Sequence, residues 1–240
     1  MEAIINAYLH ERISYRDLLR KLIAYDSWFV PILQQESDLR PNLFRHNEKI
    51  FLLAYSNKEQ IPPQTPTMKV DGNWLFSQLK APIDLMVIDA QSSYALQFPK
   101  EKFPELNDWA RALHIEELLA KEDFDAHTLN ELLEFEGYYV PLIDSQSGVR
   151  HITLAPDTQQ RKLAAVFTTE DALSLYVQNA QGALGDEILV DRPAGKKLFA
   201  YLLQLPIEGI VFNCYGPGEP RALSKASLQS LLEPIRNNDK

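Results

Sequence analysis

The chain repeats itself at a distance of about 110 residues, and this repeat constrains its fold more than any other feature. Residues 28–33 read WFVPIL and residues 138–143 read YYVPLI, each after a stretch with the apolar spacing of a helix. The longest later block pairs LFSQLKAPIDLMVIDA at 75–90 with LFAYLLQLPIEGIVFN at 198–213. Four blocks recur in the same order, and a period of this length is too long for a solenoid or propeller unit. The sequence therefore predicts two tandem, domain-sized copies of one module.

Length and composition agree with two packed modules. A chain of 240 residues corresponds to one or two domains, and 45% hydrophobic residues can fill their cores. The first residues include Glu2, His10 and Glu11, which predicts no secretory signal. No apolar run approaches the ~20 residues of a membrane span. The single cysteine, Cys214, has no partner for an internal disulfide. Together these features predict a cytoplasmic protein with no membrane partner.

The net charge of −9 argues against a nucleic-acid partner, since binding phosphates requires a basic face. Most of this charge lies between residues 116 and 136, where eight acids face one base, Lys121. One interpretation is a solvated helical connector between the two copies. The other is a docking strip for a basic protein partner, which opposite charge would steer into contact.

The second copy reads as an alternation of helices and strands. We expect Thr128 to cap a helix that ends near Gly137, with Glu131 completing the capping box. Strands are predicted at 138–143, 151–155, 162–167 and 209–213, with a turn at 144–148. Helices are predicted after the cap at 168–171, at about 195–205, and after Ser224.

The first copy follows the same plan, with one predicted loss. Ser14 is expected to cap its leading helix, and a strand at 49–55 matches the strand at 162–167. The prolines at 62, 63 and 66 follow at once, and a proline inside a helix costs ~3 kcal/mol. We therefore expect the helix after Tyr55 to be missing or very short, and the closing helix to begin only near Glu105.

A family resemblance rests on four ordered blocks of the second copy: YYVPL, AVFTTEDAL, GKKLFAYLLQLPIEGIVFNC and RALSKASLQSLL. Together, over about residues 128–235, they resemble the SseB N-terminal domain family of bacterial enhanced serine sensitivity proteins. The first copy keeps WFVPIL, the Tyr55-Ser56 junction and WLFSQLKAPIDLMVID. It departs from the family at its three prolines, and the last strands end in Asn213-Cys214 and Asp89-Ala90 where an Asn-Pro-like end is usual.

The resemblance implies an α/β fold with a mixed sheet in each of two tandem SseB-like modules, the first one degenerate. We expect the first module with its N-terminal helices at 1–114, an acidic connector at 115–127 and the second module at 128–240. The resemblance implies no established reaction, cofactor or catalytic residue.

The sequence contains no recognisable set of catalytic residues. The chain has no G-x-S-x-G, no glycine-rich phosphate loop and no paired metal-ligand motif, and its five histidines fall in separate elements. Cys214 is expected to be a buried packing residue, because no base or helix N-terminus that would activate it is evident. Asp84 and Glu208 occupy equivalent places, so a carboxylate pair for acid and base catalysis is conceivable, but duplication alone explains their positions.

The sequence favours a non-catalytic protein that binds another protein and needs no cofactor, most concretely an immunity protein that neutralises a toxin or effector. One alternative is a hydrolase that uses the loops after the last strands, at 89–94 and 215–221. Another is an accessory or chaperone-like protein of a secretion or stress pathway. The oligomeric state is left open. The residues expected to bind the partner are Glu116, Glu117, Glu122, Asp123, Asp125, Tyr215, Glu219 and Arg221.

Overall fold

The helices and strands that the two units share occur in the same order. The computed structural model describes residues 1–35, 38–121, 124–144, 150–155, 161–184, 188–216 and 220–238. Contacts divide the chain into a first unit, Met1–His114, and a second unit, Ile115–Lys240. Each unit combines helices with one mixed and one antiparallel sheet, so the predicted α/β class is confirmed. The predicted turn after Asp144 lies outside the described residues.

The first unit contains two small sheets and the helices that cover them. Its elements are α1 (Glu2–Leu9), α2 (Tyr15–Ile23), β1 (Trp28–Gln35), β2 (Asp38–Pro41), β3 (Leu43–His46), β4 (Lys49–Ala54), β5 (Thr67–Val70), α3 (Gly72–Ser77), β6 (Leu85–Ile88), β7 (Leu96–Pro99) and α4 (Phe103–Leu119), the last of which runs past His114. One sheet has the strand order β2-β1-β5 and the other β3-β4-β6-β7. Of the strand pairs in the described part of this unit, only β4 and β6 are parallel, and a bridge between Phe29 and Tyr55 joins the sheets.

The second unit repeats most of this arrangement. Its elements are α5 (Ala126–Glu134), β8 (Val140–Asp144), β9 (Arg150–Ile152), β10 (Leu163–Val166), α6 (Glu170–Leu184), β11 (Ile188–Asp191), α7 (Gly195–Leu202), β12 (Gly209–Phe212), β13 (Arg221–Ser224) and α8 (Lys225–Asn238). The sheets have the orders β11-β8-β9 and β10-β12-β13, with β10 and β12 parallel. A bridge between Tyr139 and Phe167 joins them, as its counterpart does in the first unit. The motifs WFVPIL and YYVPLI therefore occupy equivalent strands, as predicted.

The first aromatic residue of each repeated motif anchors a helix to a strand. Trp28 and Tyr138 are fully buried. The Trp28 indole N–H donates to the carbonyl of Leu22 at 3.0 Å, and the Tyr138 hydroxyl donates to the carbonyl of Leu132 at 2.9 Å. In both units the acceptor lies six residues before the ring, near the end of the preceding helix. The first aromatic position of the motif recurs because Trp28 and Tyr138 each fill the core and donate a hydrogen bond to a carbonyl near a helix end.

A glycine in each unit allows a second helix to approach the first. A Cβ on Gly72 would lie 2.2 Å from the carbonyl oxygen of Ile23, and a Cβ on Gly195 would lie 2.3 Å from that of Leu132. Both distances are far below van der Waals contact. Each glycine begins its helix where a side chain does not fit, so the same close packing is repeated in both units.

The predicted loss of a helix in the first unit is confirmed. The segment after Tyr55 forms only a short 3₁₀ turn, Lys58–Gln60, where the second unit has the 15-residue α6. One cap prediction is wrong. Asp125, not Thr128, caps α5, and its carboxylate accepts the N–H of Thr128 at 2.7 Å. Thr128 lies inside the helix and is fully buried, since the helix begins three residues earlier than the capping-box pattern indicated.

Candidate functional site

The carboxyl ends of the parallel strand pairs are the first place to look for a site. In α/β sheets, ligands bind in the crevice outside these strand ends. In the first unit β4 and β6 end at Ala54 and Ile88, and in the second unit β10 and β12 end at Val166 and Phe212. The loops of the hydrolase alternative follow β6 and β12.

In the first unit, Asp89 closes the end of β6 against the end of β4. Its side chain is fully buried, and it accepts hydrogen bonds from the N–H and the hydroxyl of Ser56, both at 2.7 Å. The Asp89 N–H donates to the carbonyl of Ala54 at 2.9 Å. Burial raises the pKa of Asp89, while the Ser56 hydrogen bonds oppose that rise. The carboxylate is thus held by one serine and sealed from solvent.

In the second unit, Asn213 takes the same position next to Thr168. The Asn213 side-chain oxygen accepts the N–H of Thr168 at 2.9 Å, and its amide group donates to the Thr168 hydroxyl at 2.9 Å. The Thr168 hydroxyl lies 3.0 Å from a carboxylate oxygen of Glu116, to which it donates. That Glu116 oxygen is also 3.5 Å from the Asn213 amide nitrogen. A charged residue of α4 therefore completes a buried polar cluster.

The two clusters are equivalent in backbone as well as in position. Asp89 and Asn213 both have a φ of 51°, in the left-handed region that Asn and Asp tolerate better than most residues. Their carbonyls accept the N–H groups of Ser92 and Gly216 at 2.8 and 2.7 Å. The residues after the second parallel strand differ in charge: the first unit buries a carboxylate where the second buries an amide. The shared role is to fasten the end of one parallel strand to the next.

This geometry does not prepare the Ser56 hydroxyl for nucleophilic attack. A hydrolase nucleophile needs a base and free oxyanion donors around an accessible oxygen. The acceptor of the Ser56 hydroxyl, Asp89, is buried, and the same carboxylate occupies the Ser56 N–H. In the second unit Thr168 is 1% exposed. The chemistry at these strand ends is that of a hydrogen-bonded support.

Cys214 follows this cluster and lies in the core of the second unit, with Phe167 and Tyr176 in the same cluster of buried residues. It is 6% exposed, and burial raises the pKa of its thiol to about 12. A thiol with this pKa carries almost no thiolate at neutral pH, so it is a poor nucleophile.

Asp84 and Glu208 each bond to a backbone group of their own unit. A carboxylate oxygen of Asp84 accepts the N–H of Ile50 at 3.0 Å, and one of Glu208 accepts the N–H of Lys162 at 3.1 Å. The backbone completes the link, since their own N–H groups donate to the carbonyls of Ile50 and Lys162 at 2.8 Å. The hydrogen bond from Ile50 lowers the pKa of Asp84. These acids tie the starts of the parallel strands together, in the same place in each copy.

The acidic residues predicted to bind a partner fall into different environments. Glu116 belongs to the Thr168 cluster rather than to an open strip. Glu117 is exposed on α4, and Asp125 is an exposed helix cap. Glu122 and Asp123 lie outside the described residues. At least two described residues of the predicted strip, Glu116 and Asp125, therefore have a structural role within the second unit.

The residues after β12 that were predicted to bind a partner also lie in different environments. Tyr215 has a φ of 66° and is 46% exposed, with its ring centroid 6.4 Å from that of Tyr176. Arg221 was expected in a loop, but it is the first residue of β13, paired with Phe212. Its guanidinium lies 5.3 Å from the ring centroid of Phe124. Glu219 lies outside the described residues. Tyr215 remains the exposed aromatic residue of this set.

Sequence reasoning missed both hydrogen-bonded clusters. The signal was present in the repeat offsets, since Ser56 and Thr168 are 112 residues apart and Asp89 and Asn213 are 124 apart, as are Asp84 and Glu208. No group of three or more potential metal ligands occurs among the described residues. Within the same residues, no helix combines the length and hydrophobicity that crossing a membrane requires.

Comparisons with protein-family models, with curated proteins and with solved structures gave no match. The relation to the SseB N-terminal domain family therefore stays a prediction based on the four sequence blocks.

Proposed function

We propose that the chain is a non-catalytic bacterial protein that binds another protein, most concretely an immunity protein that neutralises a toxin or effector. In this proposal it is a tandem SseB-like protein of the cytoplasm that works without a cofactor. The observation that carries the proposal is the uneven distribution of charge between the two units.

The first unit has 13 Lys and Arg against 14 Asp and Glu, whereas the second unit has 11 against 19. The net charge is thus −1 in the first unit and −8 in the second. A field of one sign raises the rate at which a partner of opposite charge associates. The negative field of the second unit therefore favours a basic protein as its partner.

The internal use of the polar groups supports a binding role over the hydrolase alternative. At the strand ends of each unit, the polar side chains hydrogen-bond to each other within that unit. The Cys214 thiol that follows β12 is buried, and burial raises its pKa. The accessory or chaperone-like role is a variant of protein binding, and no feature of the described residues favours it over neutralisation.

Acids outside the Asp125 cap and the Glu116 cluster are suitable probes of the interaction. Glu136 is exposed after α5 and Glu131 is partly exposed on it, while Glu117 is exposed on α4. Glu134 pairs with Lys196, so it is less suitable as a probe. Replacing Glu117, Glu131 and Glu136 with Gln removes three charges and leaves the Asp125 cap and the Glu116 cluster in place.

The test is affinity capture from the native host, followed by reconstitution of the purified complex. We expect a stoichiometric partner of net positive charge, bound about five- to twentyfold more weakly by the triple Gln variant at low salt, because exposed charge pairs contribute ~0.2–1 kcal/mol each. The matched control neutralises three exposed acids of the first unit, Glu59, Glu101 and Asp108, and should bind normally. Equal weakening by both variants, or no stoichiometric partner, would remove the proposal.

A further inference from the structure

One strand of the first unit lies at the edge of its sheet and is exposed to solvent along its whole length. β3 pairs with β4 alone among the described residues, and all four of its residues, Leu43–His46, are exposed. Leu43 and Phe44 are 36% and 37% exposed. Exposed edge strands are usually kept from pairing with other chains by a proline, a bulge, a covering element, charged side chains or a very short length. β3 is short and carries Arg45, but it has no proline, and its four residues pair with β4 in an unbroken register.

The hairpin geometry determines which backbone groups of β3 point away from the sheet. Asn47 and Glu48 form a two-residue turn with φ values of 46° and 62°, the type I′ form whose closing pair here is His46 and Lys49. In such a hairpin the residues that bond to the partner strand alternate, beginning with the closing pair. Phe44 and His46 therefore bond to β4, and the N–H and C=O groups of Leu43 and Arg45 point outward.

The opposite strand confirms this alternation. The N–H and C=O of Ile50, the residue opposite Arg45, bond to Asp84 on the other side of β4. The pair Arg45 and Ile50 is consequently not hydrogen-bonded, and Arg45 presents its backbone to the free edge. An added strand could form bonds to Leu43 and Arg45 without disturbing β4.

The side chains around this edge are basic in a chain that is acidic as a whole. Arg45, His46 and Lys49 are exposed, with Glu48 as the acid of the hairpin. In the second unit, the corresponding contact among the described residues is an antiparallel bridge between Leu154 and Ala164, with backbone hydrogen bonds on either side of it.

We propose that the β3 edge binds an extended acidic segment of a partner protein, which adds to the sheet as a further strand. Main-chain bonds to Leu43 and Arg45 would hold the segment, and acidic side chains on one face of the added strand would lie beside Arg45. His46 and Lys49 lie on the opposite face of the hairpin. A second copy of this chain fits less well, because the same cations would meet across the two-fold axis. A ladder of four residues also falls far short of the ~1,000 Å² that a stable dimer buries.

This inference goes beyond the proposed function, because it concerns a different unit and a partner surface of opposite charge. Its probe is a fluorescein-labelled eight-residue peptide that alternates Val and Glu, with a matched peptide that alternates Val and Lys. The intact chain should bind the Glu peptide with a Kd below about 1 mM and the Lys peptide at least about tenfold more weakly. Methylation of alternate peptide nitrogens on the bonding side should abolish binding, while methylation on the other side should not.

Two variants of the chain test the same edge from the protein side. Arg45→Glu should weaken the Glu peptide about tenfold and improve the Lys peptide. Leu43→Pro removes one outward N–H that β4 does not use, and should weaken both peptides about fivefold. Thermal melts of both variants should match the parent chain. Absence of Glu-peptide binding at about 1 mM, or self-association through this edge detected by sedimentation, would overturn the inference and leave the charge test of the second unit unaffected.

Discussion

A reciprocal exchange of Asp89 and Asn213 tests the account of the two strand-end clusters. The two side chains have nearly the same shape and the same backbone conformation, so the exchange changes charge with little change in volume. Asp89→Asn should leave the unit as stable or slightly more stable. The amide can donate to the Ser56 hydroxyl as Asn213 donates to Thr168, and a buried charge is removed.

Asn213→Asp should be strongly destabilising, because the new carboxylate would face Glu116. The Asn213 amide nitrogen lies 3.5 Å from a Glu116 oxygen, and two unit charges at that distance repel by about 5 kcal/mol at an effective dielectric constant near 20. Glu116 is partly exposed to solvent, so we expect roughly half of this, about 2–3 kcal/mol. For a unit of this size that corresponds to a decrease of about 10 °C in Tm.

The assay is thermal and urea unfolding of both variants between pH 4 and 8. Burial raises the pKa of Asp89 above its unfolded value, so its ionisation costs stability above the folded pKa. In the parent chain this cost disappears as the pH falls toward the unfolded value, and Asp89→Asn should remove that part of the pH dependence. Asn213→Asp should regain stability as the pH falls, and Glu116→Gln should rescue it at neutral pH. Equal losses for the two exchanges would refute the reasoning.

The remaining predictions concern packing and reactivity. Gly195→Ala should destabilise the second unit by about 2–4 kcal/mol in urea unfolding, because its Cβ would lie 2.3 Å from the Leu132 carbonyl oxygen. A loss below about 0.5 kcal/mol would show that α5 and α7 are not in close contact. Tyr138→Phe should cost about 1–2 kcal/mol, since the Leu132 carbonyl loses its buried donor. Cys214 should react with a disulfide reagent at pH 8 only as fast as the unit opens, because burial raises the pKa of its thiol to about 12. Labelling as rapid as that of a free thiol would contradict the packing role.

The repeat predicted much of the fold because it preserves local signals. Ser14 caps α2 with its side chain, as the pattern indicated, and the closing helix of the second unit follows Ser224, whose hydroxyl accepts the N–H of Ser227 at 3.1 Å. The prolines after Tyr55 shorten a helix in the way their missing N–H groups require. Such features depend on a few neighbouring residues, so a single sequence can reveal them.

The strand-end clusters depend on contacts between distant residues, which sequence patterns do not display. Glu116 is 52 residues from Thr168 and 97 from Asn213 along the chain. In the sequence it is one of eight acids in a run, and charge alone assigns it to the surface. Only the fold distinguishes it from Glu117, which is exposed on the same helix. The error over Thr128 is of a smaller kind, since Asp125 offered an equally good cap three residues earlier.

The most direct test of the proposed function is a calorimetric titration of the reconstituted complex at low and moderate salt. The account predicts one partner per chain and an affinity that falls as salt rises. It also predicts that the Gln variant of Glu117, Glu131 and Glu136 binds more weakly and depends less on salt, while the first-unit control behaves like the parent chain. An affinity and salt dependence unchanged by the loss of these three charges would contradict it.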